Sequence, residues 1–172
     1  MKNKVTPRDH ELVMDDNDLI LTKTDPSGCI SYANLTFIKF AGYTEDELLG
    51  EQHSLVRHPD MPRVIFRILW DTIKAKKEVF AYVKNLAKDG SYYWTFASVA
   101  PDFDDENNII GYFSVRRKPK RVALKKIEEI YKELLDAERN ETRRDSVDAS
   151  MKVLNGYLNS RKLIYDEFIH QI

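Results

Sequence analysis

The sequence predicts an α+β fold, in which a five-stranded antiparallel sheet carries helices on one face and further α-helices follow at the C-terminus. Two strand-like runs come first, a cluster of helical patterns follows, and three more strand-like runs then succeed one another with no helix between them. Strands joined by short turns pair antiparallel, because a parallel pair needs a long crossover connection. From Arg121 onward the apolar residues recur at helical spacing.

Length and composition restrict the class of protein. The chain has 172 residues, a net charge of −1 and one cysteine, Cys29. Mixed charge argues against a nucleic-acid-binding surface, which needs a basic stripe, and a single cysteine permits no internal disulfide and indicates a reducing compartment. The apolar runs are too short to span a bilayer, and the N-terminus lacks the apolar core of a signal peptide. We therefore expect a cytoplasmic protein without direct membrane insertion.

Shifts in composition divide the chain into a polar arm at 1–17, a sheet-and-helix domain at 18–119 and a helical signalling or docking region at 120–172. The first hairpin is predicted at "DLILTKTD" and "CISYAN", joined by the turn "DPSG". Helical spacing begins at Asn34. The segment "TEDELLG" then contains a capping box, in which Thr44 caps the helix and Glu47 reaches back.

The stretch "LVRHPDMP" (residues 55–62) precedes the amphipathic helix "RVIFRILWDTIKAKK". Asp60 is placed to cap that helix, with Pro62 in its first turn. Arg57 and His58 are two donors beside a helix N-terminus, an arrangement that suits an anion. The alternative is that Arg57 pairs with a surface carboxylate and that the stretch is only a capped helix start.

Three strands are predicted at "EVFAYVKNLA", "SYYWTFASVAP" and "IIGYFSVRRKP". Asn85, near the end of the first, carries a donor and an acceptor and matches a ligand with adjacent N–H and C=O groups, such as the flavin pyrimidine edge. It could equally bond its own turn. The many aromatic residues, Trp70 and Phe80 among them, could wall a flat ligand or form plain core.

Metal binding and enzymatic chemistry have no motif in this sequence. His53 and His58 lack the spacing of a helical metal site, and no nucleophile elbow, phosphate loop or dinucleotide fingerprint is present. We therefore expect neither a metal nor an enzyme. The last helix carries an apolar pattern that makes it a candidate docking or dimer helix, formed by Val147, Met151, Leu154, Leu158, Tyr165 and Phe168.

The stretch "SYANLTFIKFAGYTEDELLGEQHSLVRHPDMP", with "WDTIKAKKEVFAYVKNLAKDGSYYW" and "GYFSVRRKP", resembles a PAS sensor domain. Within that class it looks most like the FAD-binding PAS domain of the bacterial aerotaxis receptor family. The nearest resemblance is to the stand-alone PAS subunit of bipartite energy-taxis systems of Campylobacter-type bacteria. The resemblance covers about Leu19 to Pro119. It implies the PAS fold, non-covalent FAD and a redox or energy-taxis signal rather than turnover.

The resemblance also implies site residues. The motif residues associated with FAD retention fall on Arg57, His58 and Asp60, and the flavin-bonding asparagine of the related light-sensing LOV domains aligns with Asn85. The reactive LOV cysteine falls on His53, so a cysteinyl–flavin photocycle is not expected. The candidate cofactor-binding residues are Asn34, His53, Arg57, His58, Asp60, Trp70, Phe80 and Asn85.

Two positions depart from the relatives. The LOV final-strand glutamine falls near Arg116, which would favour an anionic flavin if it points inward and would be a surface charge if it points out. The tryptophan of the aerotaxis family falls at about Val79, with Phe80 the nearest ring. Neighbouring strand residues point to opposite faces, so Phe80 need not replace it.

The resemblance implies a partner as well. Aerotaxis receptors continue into a membrane anchor, a HAMP region and a methyl-accepting signalling domain, so we expect this chain to signal to a separate membrane-anchored HAMP and methyl-accepting chemotaxis transducer. A homodimer through the last helix is the other expected association. The alternatives are a cofactor-free PAS interaction module and a haem-binding PAS sensor, whose axial ligand would be His53 or His58.

Overall fold

The structure, a computed structural model, describes residues 5–142 and 144–172. Its centre is one antiparallel sheet of five strands in the order β2-β1-β5-β4-β3. The strands are β1 (Ile20–Thr24), β2 (Ile30–Ala33), β3 (Val79–Leu86), β4 (Tyr92–Phe103) and β5 (Ile109–Arg117). The predicted five-stranded antiparallel sheet is confirmed.

In the described part of the chain, six α-helices accompany the sheet. They are α1 (Leu35–Ala41), α2 (Glu45–Leu48), α3 (Arg63–Lys74), α4 (Arg121–Arg139), α5 (Ser146–Arg161) and α6 (Tyr165–Gln171), with a 3₁₀ turn at His53–Val56. The predicted capping box is present at α2, where the Thr44 hydroxyl accepts from the Glu47 N–H and the Glu47 carboxylate accepts from the Thr44 N–H. The segment from α1 to α3 lies over one face of the sheet, here called the inner face.

The C-terminal helices cover the opposite, outer face. The Tyr131 hydroxyl of α4 donates to the Tyr82 carbonyl of β3 at 2.7 Å. The Phe80 ring of β3 lies against the His170 ring of α6, with 4.5 Å between the ring centroids. The sheet is therefore covered by helices on both faces. β3 is one of its two edge strands.

The predicted single last helix is wrong: the chain bends at Lys162, which adopts a left-handed φ of 55°, and α5 and α6 fold back on each other. The apolar side chains expected to form a docking seam pack within the chain instead. Leu154 is 1% exposed, and Leu158 and Phe168 are also buried in the cluster that joins α4 to β3 and β4.

The predicted cap of α3 by Asp60 is wrong. The helix begins after Pro62, which makes no side-chain cap, and its first N–H groups donate to the carboxylate of Glu138, at the end of α4. Asp60 instead receives a hydrogen bond from the Lys84 ammonium at 3.1 Å. The acceptor comes from 75 residues further along the chain, beyond the reach of a local capping pattern.

The described part of the N-terminal arm pairs with the start of β4. The Leu12 N–H donates to the Tyr92 carbonyl at 2.7 Å, and the Tyr92 N–H donates to the His10 carbonyl at 2.9 Å. Met14 is 2% exposed, so this part of the arm belongs to the core. Residues 1–4 of the predicted arm lie outside the described residues. Across residues 5–142 and 144–172, none of the helices combines the length and the apolar character needed to cross a membrane.

Candidate functional site

A cavity of about 190 Å³ lies between the inner face of the sheet, α3 and the 3₁₀ turn. One water molecule needs roughly 10–15 Å³ measured in this way, so the cavity is large enough for the ring of an organic ligand. Its walls come from both the sheet and the helices, and they are Thr22, Thr24, Gly28, Gln52, His53, Ser54, Val56, Arg57, Phe66, Leu69, Trp70, Ile73, Val83, Asn85, Ala97, Val99, Tyr112, Ser114 and Arg116.

The Arg116 side chain points into this cavity from β5. It is 7% exposed, and its guanidinium donates to the Thr22 hydroxyl at 3.0 Å and to Nε2 of His53 at 3.0 Å. Within the described residues no carboxylate forms an ion pair with it. Burial lowers the Arg116 pKa to about 10, so the group is still a cation at neutral pH. The cavity wall therefore holds an uncompensated positive charge.

His53 stays neutral beside that charge. Burial, and secondarily the positive charge of Arg116, lower the His53 pKa to about 3. Because Arg116 donates to Nε2, that nitrogen is an acceptor and the ring proton is assigned to Nδ1. The ring also stacks against Phe37, with 5.5 Å between centroids, which fixes its plane.

Asn85 reaches the cavity from β3, as its strand position predicts. Its amide nitrogen donates to the Val83 carbonyl at 3.2 Å and to the Thr95 hydroxyl at 3.3 Å, which determines which way the amide is turned. In the described part of the chain no group donates to its Oδ1. Asn85 is 3% exposed. The cavity thus contains a buried carbonyl oxygen with spare acceptor capacity.

Arg57 is the residue of the "LVRHPDMP" stretch that lines the cavity. Its backbone pairs with Asn85, which places the loop along the free edge of β3. The half-buried guanidinium lies over the Phe66 ring at 4.1 Å and donates to the Met61 carbonyl at 3.2 Å. Burial lowers the Arg57 pKa, while the nearby negative charge of Glu138 opposes that change.

His58 and Asp60 lie outside the cavity, although they were expected to bind the cofactor. The His58 ring is buried edge-on against Tyr92, and its Nδ1 accepts from the Asp60 N–H at 3.0 Å. Burial, followed by the charge of Lys84, lowers the His58 pKa to about 4. These two residues hold the loop against β3 and β4, which leaves Arg57 as the member of the motif that faces the cavity.

Two other expected residues also lie elsewhere. Phe80 projects from the outer face of β3 beneath α6, because successive strand residues point to opposite faces. Asn34 caps α1: its Oδ1 accepts from the N–H groups of Phe37 and Leu21, and its amide donates to the Leu19 carbonyl. Trp70, in contrast, does line the cavity and meets Tyr112 edge to face, with 5.4 Å between centroids.

Five polar residues of the wall carry no motif in the sequence: Thr22, Thr24, Gln52, Ser54 and Ser114. The sequence motifs also leave the direction of Arg116 open. The strand alternation Tyr112, Ser114, Arg116 contained the necessary signal, since residues two apart share a face.

Cys29 is not part of the cavity wall. It lies immediately before β2, where its half-buried sulfur accepts from the Gln52 amide at 3.0 Å. The position expected for a flavin-reactive cysteine is occupied by His53, which does line the cavity.

Comparison with known proteins agrees with this architecture. The family model described as PAS fold matches residues 30–116, half of the chain. The aerotaxis receptor of Escherichia coli is 38% identical over 119 residues, which is 69% of this chain and 23% of that receptor. The bacterioopsin transcriptional activator of Halobacterium salinarum is 27% identical over 89 residues, covering 52% of this chain and 13% of that protein. The chain thus spans less than a quarter of these relatives.

A solved structure shows the same fold. The dark structure of the LOV domain of the blue-light photoreceptor aureochrome 1 is 27% identical, with a TM-score of 0.56, and the match covers 62% of this chain and 79% of that one.

Proposed function

The chain belongs to the PAS family, and we propose that it is a redox sensor that binds FAD without a covalent bond and signals to a separate transducer. PAS sensor domains are signalling modules and not enzymes, so the cavity is a sensing site. A bound flavin would supply reversible electron uptake, which changes the charge of its ring.

The uncompensated charge of Arg116 carries this proposal. Burying a cation without a carboxylate is unfavourable, and an electron-rich or anionic ligand in the cavity would offset that cost. The ring of a flavin carries both donors and acceptors. Asn85 Oδ1 can accept from a ring N–H, Arg116 can donate to ring acceptors, and the rings of Trp70 and Phe66 offer flat walls.

The similarity to the aerotaxis receptor supports the kind of signal. The matched 119 residues of this chain correspond to 23% of that receptor. We propose that the partner is a membrane-anchored transducer with a HAMP region and a methyl-accepting domain. The protein itself would work in the cytoplasm, as the stand-alone sensor subunit of a two-part energy-taxis system.

The haem alternative fits the site less well. His53 is the histidine in the cavity, and its Nε2 already accepts from the Arg116 guanidinium. A ferric or ferrous ion at that nitrogen would displace this hydrogen bond and would lie beside a buried cation. In a cofactor-free module the buried Arg116 charge would face the cavity without a compensating ligand, which is unfavourable.

The absorption spectrum of the purified protein tests the proposal. We expect flavin bands, and denaturation should release FAD, identified by mass against FMN. A Soret band would support haem, and a colourless protein that releases no flavin would refute the flavin proposal.

The site residues are tested by comparing Arg57→Ala with Arg67→Ala. Arg67 lies on α3 with its side chain 59% exposed and outside the cavity, which makes it a matched control. We expect Arg57→Ala to lose flavin and Arg67→Ala to retain it. Equal flavin content in the two variants would contradict the role of Arg57.

The partner is tested with a photo-crosslinking residue placed on the exposed face of α4. Crosslinks in the native cell should identify a methyl-accepting transducer by mass spectrometry. Crosslinks to other proteins alone would refute the proposed partner.

A further inference from the structure

The N-terminus of α3 has no cap of its own. Its N-cap residue is Pro62, whose side chain makes no hydrogen bond, and the Asp60 carboxylate is bound by Lys84 instead. The first N–H groups of a helix have no acceptor within the helix, so a buried helix start requires one from elsewhere.

Glu138, at the end of α4, supplies that acceptor. Its Oε2 accepts from the Arg63 N–H at 3.0 Å, and its Oε1 accepts from the Val64 N–H at 3.1 Å and from the Ser150 hydroxyl at 3.0 Å. The residue is 9% exposed. A carboxylate at this position also complements the positive end of the helix dipole. One side chain therefore joins α3, α4 and α5.

The same helix forms a wall of the cavity. Phe66 and Trp70 of α3 line it, and the Arg57 guanidinium lies over the Phe66 ring. Glu138 is the main negative charge that favours the charged form of Arg57. The Arg57 guanidinium also donates to the Met61 carbonyl, two residues before the Arg63 N–H that Glu138 binds, so Arg57 contacts both the cavity and the start of α3.

We propose that Glu138 is a positioning residue that couples the charge of the cavity occupant to the strength of the contact that joins α4 and α5 to α3. A negative occupant attracts Arg57, so Arg57 stabilises the Glu138 carboxylate less and the helix contact loosens. With a neutral occupant, Arg57 continues to stabilise the Glu138 carboxylate, and the hydrogen bonds from the first N–H groups of α3 to Glu138 stay strong. This inference rests on the proposed function, because reduction of a flavin is what would change the charge. The two states differ in their interaction with Arg57, as any such coupling requires.

Amide hydrogen exchange of the flavin-loaded protein, oxidised and dithionite-reduced, tests this coupling. In the wild type we expect faster exchange at the Arg63 and Val64 amides, and in α5, after reduction. Glu138→Gln keeps the shape but removes the charge and one acceptor oxygen. It should raise exchange at these amides by roughly tenfold or more in both states and abolish the redox difference. Glu133→Gln, an exposed carboxylate on the same helix, is the matched control and should behave as the wild type.

A redox difference that persists in Glu138→Gln would overturn the inference. If that variant does not fold, Glu138→Asp replaces it, since its shorter side chain keeps the charge but cannot bridge both N–H groups. Full wild-type protection and a full redox difference in Glu138→Asp would likewise overturn the inference.

A second measurement separates this inference from the proposed function. Urea unfolding of the ligand-free wild type, Arg57→Gln, Glu138→Gln and the double variant forms a double-mutant cycle. Coupling predicts that Glu138→Gln reduces stability less once Arg57 has been replaced. Additive effects would overturn the inference even if FAD binds. A protein without flavin would refute the proposed function and leave the cycle to decide the coupling.

Discussion

Replacing Arg116 with methionine should have opposite effects on the free protein and on flavin binding. The Arg116 pKa of about 10 lies some 2.5 units below the ordinary 12.5. Each unit corresponds to about 1.36 kcal/mol, so burying the charged form opposes folding by about 3 kcal/mol at neutral pH. The sign follows because the folded state binds this proton less tightly than the unfolded state does.

The hydrogen bonds of Arg116 offset part of that cost. It donates to Thr22 and to His53, and loss of a donor costs about 1–3 kcal/mol for each acceptor left unsatisfied. The Thr22 hydroxyl lies 3.2 Å from Nε2 of His53 and can donate to it in the variant. The stability lost with the Arg116 hydrogen bonds is therefore near the lower limit of that range. We expect the free Arg116→Met protein to be between unchanged and about 2 kcal/mol more stable.

Thermal or urea unfolding of ligand-free protein measures this change. For a chain of this size, about 1 kcal/mol shifts the Tm by roughly 2–4 °C. Arg117→Met, the exposed neighbour on the same strand, is the matched control and should leave stability and flavin content unchanged. Flavin affinity of Arg116→Met should fall by roughly 10- to 100-fold, the equivalent of one lost charged hydrogen bond. The reasoning is refuted if the free variant is destabilised by more than about 1 kcal/mol or if it retains flavin at the wild-type level.

Three further predictions concern other residues of the site and of the outer face. Asn85→Ala removes the spare acceptor and should weaken flavin binding about tenfold by calorimetry; wild-type affinity would show that its oxygen is not used. The folded pKa values of His53 and His58, about 3 and about 4, lie below the ordinary 6.5, so stability is complete above pH 6.5 and falls as the pH drops towards 4. At pH 5 the loss is about 2 kcal/mol for each ring, and His53→Gln or His58→Gln should flatten the urea-derived profile between pH 7 and 5; an unchanged slope would contradict their buried neutral state. Phe80→Ala should destabilise the protein by about 2–3 kcal/mol, because α6 loses its contact, while flavin affinity stays constant; a matching loss of affinity would contradict its outer placement.

The positions of Asn85 and Arg57 in the cavity wall could be predicted from local sequence patterns. The strand pattern around Asn85 and the position of Arg57 before an amphipathic helix both place residues that do line the cavity. The sequence did not show that His58 and Asp60 lie outside the cavity wall, because adjacent residues in an irregular loop have no period that assigns them to a face. His58 lies against Tyr92 instead, a contact that depends on how the loop packs on β4.

The sequence by itself determined the order of strands and helices as far as α4, the hairpin turn and the capping box at Thr44, because these depend on side-chain period and on neighbours within a few residues. Only the tertiary structure decided that Arg116 faces inward and Phe80 outward, since alternation separates two faces without saying which one is covered by which helices. It also decided that Glu138 caps α3. That contact joins groups 75 residues apart, and it forms only when α4 packs beside the start of α3.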